Sequence, residues 1–134
     1  MMNISGKKCL FDTNILIFAR DKTSLRHQKA VELFKDLEAG KFEAFVSYQN
    51  LLEFTAVLTR VYKISQKEVA GDLELLLSSP KIRVIYPTLA TLPIFLKLLK
   101  KDTGVYVYDL YLAATAKTNG IEIIISNDND FQKI

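Results

Sequence analysis

Residues Ile121 to Ile125 are β-branched at every position except Glu122, and they follow at once on a run of small and apolar residues opened by Asp109. Five residues are too few for a helix, so the run reads as a buried strand. The segment before it, with Leu110, Leu112, Ala113, Ala114 and Ala116, reads as a buried helix. Asn119 and Gly120 stop it, both residue types that tolerate a left-handed cap. Short strands alternating with helices recur along the chain, which predicts an α/β fold with a mostly parallel sheet rather than an all-α or α+β arrangement.

The remaining elements follow the same grammar. Lys8 to Phe11 is the first strand, followed by a short helix near Ile15 to Ala19. Thr23 or Ser24 is placed to cap a helix that carries Ala30, Val31, Phe34 and Leu37 on one face and ends at Gly40. Ala44 to Ser47 is the second strand, and Leu51 to Tyr62 a helix apolar on nearly every side, which predicts burial all round. Ser65 with Glu68 spells a capping box, and Pro80 closes the helix it opens. Ile82 to Tyr86 is the third strand, Thr91 with Pro93 starts a helix toward Lys101, and Ile121 to Ile125 is the fourth and last strand read.

Acidic residues fall at telling places in this frame. Asp12 stands directly after the first strand, and Asp128 and Asp130 stand just beyond the fourth. The carboxyl ends of strands are where open α/β sheets bind ligands. Asp109 opens the helix before that strand. Each of these has an ordinary alternative, Asp12 and Asp109 as helix N-caps and Asp128 and Asp130 as turn residues. Glu53 has neither, because it lies inside an apolar helix and must find a partner or a cation there. A doubly wound sheet would set Asp12 and Asp128 on one crevice, with Glu53 and Asp109 reaching it from helices. Four like charges stay ionised together only around cations, and carboxylate oxygens suit Mg²⁺ or Mn²⁺ rather than zinc. Thr13, Asn14 and Ser126 are polar residues at the same strand ends, placed to orient carboxylates or water.

These residues carry a family resemblance. FDTN at 11 to 14, the acid in QNLLEFTAVLTR, YDLYLAATAKTNG at 108 to 120 and SNDNDF at 126 to 131 resemble the motifs of PIN domains, in that family's order and over nearly the whole chain. PIN domains are metal-dependent ribonucleases that include the VapC-like toxins of toxin-antitoxin pairs. The resemblance implies a three-layer α/β/α sandwich, a divalent-metal-dependent endoribonuclease, and Asp12, Glu53, Asp109 and Asp128 as catalytic metal ligands, with Asp130 the alternative fourth acid. It also implies RNA as substrate, an antitoxin protein as a possible partner, and a homodimer. PIN domains commonly add a strand after the last acidic loop, which the reading of this chain leaves out.

Other readings meet specific obstacles. A haloacid dehalogenase-type phosphohydrolase wants a second Asp two positions after the first, where this chain has Asn14. A receiver domain wants an acidic pair before its first strand and a late lysine. A non-catalytic PIN-like RNA-binding or scaffold protein would have no need of all four acids. No Ser-His or Cys-His nucleophile pair is evident, so the attacking group expected is water.

Composition bounds the rest. At 134 residues and 49% hydrophobic, the chain fits one domain, 1–134, with a real core. The net charge of +3 permits nucleic-acid binding without demanding it. Arg20, Lys22, Arg26, His27 and Lys29 cluster after the Asp12 strand, either bordering its ligand or as a solvated helix face. His27, the sole histidine, is expected in a surface or hydrogen-bonding role, and Cys9, the sole cysteine, as a small buried hydrophobe. No apolar run reaches the roughly 18 residues that span a bilayer, and no signal-peptide core is seen, so the expected location is cytoplasmic.

Overall fold

The computed structural model describes residues 3–126 together with the backbone of 131–133. Five strands, β1 (Lys8–Phe11), β2 (Glu43–Ser47), β3 (Ile82–Ile85), β4 (Ile123–Ile125) and β5 (Phe131–Lys133), form one sheet in the order β3-β2-β1-β4-β5. The first four are parallel, with Leu10 opposite both Phe45 and Ile124. Helices α1 (Thr13–Arg20) and α2 (His27–Glu38) link β1 to β2, α3 (Tyr48–Arg60) and α4 (Gln66–Leu77) link β2 to β3, and α5 (Thr91–Lys100) and α6 (Val107–Thr118) link β3 to β4.

Alternation along the strands divides the core into two layers. Cys9, Phe11, Ala44, Val46, Ile123 and Ile125 face α1 to α4, meeting Leu16, Leu37, Phe54, Leu58 and Val69. Leu10, Phe45, Ile85 and Ile124 face the other way, onto Leu112 and Ala116 of α6. Because both faces are covered, the central strands are apolar at consecutive positions, as parallel strands must be. The architecture is the expected three-layer α/β/α sandwich. Gly120 takes the left-handed conformation that ends α6, with φ of 73°, and the Ile121 N–H returns to Ala116 O at 2.9 Å.

Four expectations are corrected. A fifth strand exists: β5 pairs antiparallel with β4, Ile125 opposite Phe131. Its three residues, FQK, carry no apolar pattern, and backbone pairing alone makes them a strand. Helix α3 is not buried all round, since Leu52 is 74% exposed and Val61 71%. Only one side of it packs on α1 and α4. Helix α2 starts later than Thr23 or Ser24 suggest, because Asp21 Oδ1 accepts the Thr23 N–H and Ser24 Oγ the Arg26 N–H, spending those residues in a turn. Ser65 caps α4 as expected, but Glu68 does not reciprocate; its carboxylate meets the guanidinium of Arg20 at 2.7 Å.

Candidate active site

β1 is where the order of the sheet reverses, with β2 and β3 to one side and β4 to the other. Such a switch point opens a crevice at the strands' carboxyl ends. Phe11 lies opposite Ile125 there, and the Asp12 N–H donates to Ile125 O at 3.0 Å, extending the ladder by one residue and seating Asp12 at the crevice. Asp12 Oδ1 accepts the Thr13 N–H at 2.7 Å and caps α1. The capping reading of Asp12 is thus correct, and its carboxyl is also partly buried beside other acids.

The neighbouring strand end, β2, supplies the support. Ser47 caps α3 in a full capping box with Asn50: the Asn50 N–H donates to Ser47 Oγ at 3.0 Å, and Asn50 Oδ1 accepts from the Ser47 N–H at 3.2 Å and from its hydroxyl at 2.8 Å. A backbone N–H can only donate, so the amide oxygen must face Ser47 and the amide nitrogen must face the other way. Asn50 Nδ2 accordingly donates to Thr13 Oγ1 at 3.1 Å, and the single hydroxyl proton of Thr13 is left for Glu53 Oε1 at 3.0 Å. Ser47 and Asn50 are sealed from solvent at 1% and 0% exposure, so no water competes at their end of the relay. It delivers a hydrogen-bond donor to Glu53, the partner that an acid in an apolar helix has to have.

Asp12, Glu53 and Asp109 share one neighbourhood. Burial holds the Asp12 carboxyl above its ordinary range; the Thr13 N–H opposes this, and the charges of Asp109 and Glu53 add to it. Asp109 is not an N-cap: α6 starts at Val107, and Asp109 occupies its exposed first turn. Asn14 is exposed in the first turn of α1, and Ser126, half-buried, directly follows β4. Asp128 and Asp130 lie outside the described residues.

The pattern of the PIN domain family matches residues 9–134. The chain belongs to the PIN domain family. This PIN domain is 28% identical over 129 residues to Ribonuclease VapC48 of Mycobacterium tuberculosis, covering 92% of this chain and 89% of that one. Its fold is similar to that of VapC20 of Mycobacterium tuberculosis, described as a sarcin-ricin loop cleaving toxin, with a TM-score of 0.66 and 19% identity over 88% of each chain. It is also similar to a chain of VapBC2 from Rickettsia felis, solved on a fragment of promoter DNA, with a TM-score of 0.62 and 18% identity over 89% of this chain and 86% of that one.

One feature of the PIN domain was not foreseen from its residues. Ser47 and Asn50 hold the site together, and their signal was the S-x-x-N spacing at a strand end, a capping box with Asn in place of the usual Glu or Gln. Of the basic cluster, Arg20, Arg26 and His27 are engaged away from the crevice. Eight residues of α1 carry Arg20 about 12 Å from Asp12. There Arg20 binds Glu68 at 2.7 Å and Asp72 at 3.0 Å, Arg26 lies over the Phe18 ring, and His27 Nδ1 donates to Phe18 O at 2.8 Å. These residues brace α1 against α2 and α4.

Among the described residues, no three His, Cys, Asp or Glu side chains stand close enough together to hold a metal ion. The donor set around Asp12 is nonetheless all carboxylate, the chemistry that hard cations take. Among the described residues no helix is long and apolar enough to cross a membrane.

Proposed function

We propose that the chain is a divalent-metal-dependent endoribonuclease and the toxin of a toxin-antitoxin pair. The observation that carries this reading is the seat of Asp12 at the switch point, where burial, and after it the charges of Asp109 and Glu53, raise the cost of ionising it. A cation would relieve the repulsion among carboxylates gathered there. In this reading Asp12, Glu53, Asp109 and Asp128 hold Mg²⁺ or Mn²⁺, with Asp130 the alternative to Asp128. When bound, the cation supplies Lewis-acid polarisation of the scissile phosphate and an acidified water.

The chain's own residues prepare the site. The Thr13 N–H, donating to Asp12 Oδ1, fixes the orientation of a carboxylate that would hold the cation. Thr13 fixes one oxygen of Glu53 and leaves the other to the crevice. Asn14 and Ser126 stand at the same strand ends to orient the attacking water or the phosphate. The relatives named as a ribonuclease and as a VapBC protein support RNA as substrate and an antitoxin as partner.

A homodimer belongs to the same reading, supported by the exposed Leu52 on α3 and Leu92 and Leu96 on α5.

The deciding experiment incubates purified protein with structured and unstructured RNAs in Mg²⁺ or Mn²⁺. Cleavage that stops in EDTA and is absent in Asp12→Asn is expected. Cleavage that survives either treatment would overturn the assignment.

A further inference from the structure

Helices α5 and α6 run antiparallel, with a register set by two contacts. Thr91, at the start of α5, shares a 2.9 Å hydrogen bond with Thr118, at the end of α6, and Phe95 meets Tyr111 edge-on with ring centres 5.3 Å apart. Lys100 and Lys101 end α5 and Tyr106 and Tyr108 begin α6, so all four stand at the same end of the hairpin. The tip is apolar yet uncovered: Tyr106 is 64% exposed and Tyr108 56%. Their rings lie 5.4 Å apart at 53°. Gln49 Nε2, at the start of α3, donates to Tyr108 O at 3.0 Å and ties the tip to the helix that carries Glu53. Asp109 is the next residue, in electrostatic reach of Asp12.

We propose that Tyr106 and Tyr108 form a stacking platform for unpaired bases of RNA, with Lys100 and Lys101 holding the adjacent phosphates, so that a single strand is led to the acidic crevice. Aromatic faces beside cations are how proteins hold single strands without reading sequence, since every base has a face to stack and every nucleotide a charge. A surface meant only for a second copy of the chain would gain nothing from two lysines at the same end of the hairpin or from opening beside Asp109. The proposal rests on the ribonuclease reading for the choice of RNA.

The test measures fluorescence anisotropy of a labelled single-stranded RNA of mixed sequence on full-length protein carrying Asp12→Asn, so that the ligand stays intact. Adding Tyr106→Ala or Tyr108→Ala is expected to weaken binding roughly 5- to 150-fold per ring, and Phe at either position to retain it within about twofold. Lys100→Gln and Lys101→Gln should each lower the salt slope by about 0.7. Thermal midpoints within a few degrees of the parent, expected for exposed side chains, confirm folding, and the Phe variants separate stacking from stability. Affinity unchanged in the double Tyr→Ala variant overturns the platform, as does a change of mass in light scattering with RNA affinity intact, which would assign the rings to an interface between copies. Ring-dependent binding without cleavage by the parent chain would keep the platform and sink the nuclease. Cleavage with ring-independent binding would do the reverse.

Discussion

Thr13 Oγ1 donates to Glu53 Oε1 at 3.0 Å, joining residues from the first turn of α1 and the middle of α3. The bond has a fixed direction because Asn50 Nδ2 occupies the acceptor side of the same hydroxyl at 3.1 Å. Replacing Thr13 with Val keeps shape and removes the hydroxyl, leaving the buried amide of Asn50 without an acceptor. A loss of about 1 to 3 kcal/mol is expected in urea unfolding, with a roughly 10- to 100-fold fall in RNA cleavage as Glu53 loses its orientation. Thr13→Ser should keep most of both. Equal behaviour of the Val and Ser variants would show that the relay has no part in the site.

Asn50→Ala removes the hub of the relay. The Ser47 N–H and hydroxyl lose their acceptor and Thr13 its donor, all in a region closed to solvent. The expected loss in unfolding free energy exceeds that of Thr13→Val and lies at about 2 to 4 kcal/mol, since more than one buried group goes unpaired. A loss below that of Thr13→Val would mean that water replaces the amide at little cost.

Asp12 makes the metal-free protein sensitive to pH. Burial holds its folded value above that of a free aspartate, so the folded state binds this proton more tightly than the unfolded state does. The resulting stabilisation is complete below the free aspartate's value and is lost as pH rises through the folded value. Asp12→Asn avoids the buried charge while Asn keeps the cap on α1. In EDTA at pH 7 the variant should therefore melt higher than the parent, and the gap should close on acidification toward pH 4. Millimolar Mn²⁺ should raise the midpoint of the parent and leave the variant unmoved. A variant that melts lower in EDTA would contradict the burial argument.

The Cys9 thiol is fully buried on β1, and burial pushes its pKa up to about 11. At pH 8 almost none of it is thiolate, and what there is has no access. Native protein should react with a disulfide reagent only at the rate of unfolding, and denatured protein at once. Rapid stoichiometric labelling of folded protein would place Cys9 at the surface.

Arg20 links the end of α1 to α4 through Glu68 and Asp72. Arg20→Met should cost about 1 kcal/mol, less in high salt, because both pairs are partly exposed. RNA affinity should be unaffected, since Arg20 stands at the far end of α1 from Asp12. A marked drop in affinity would return the basic cluster to the binding surface.

The sequence by itself determined where the strands lie, because β1, β2, β3 and β4 are short apolar runs bounded by polar and capping residues, and strands covered on both faces admit few other compositions. It determined equally that acids follow β1 and stand within α3 and α6, and the order of those motifs marked the family. Tertiary structure decided what those residues touch. Thr13 and Glu53 are 40 positions apart, and only the parallel pairing of β1 with β2 sets their helices side by side, so no local pattern announces that Ser47 and Asn50 direct a proton toward Glu53. Arg20 reads as part of a basic cluster until the packing of α4 brings Asp72 to it. The outer face of α3 reads as core because composition records apolarity and not which neighbour covers it. β5 escapes the sequence altogether, since its three residues become a strand through backbone bonds to β4, and backbone bonds depend on where a segment is delivered rather than on which side chains it carries.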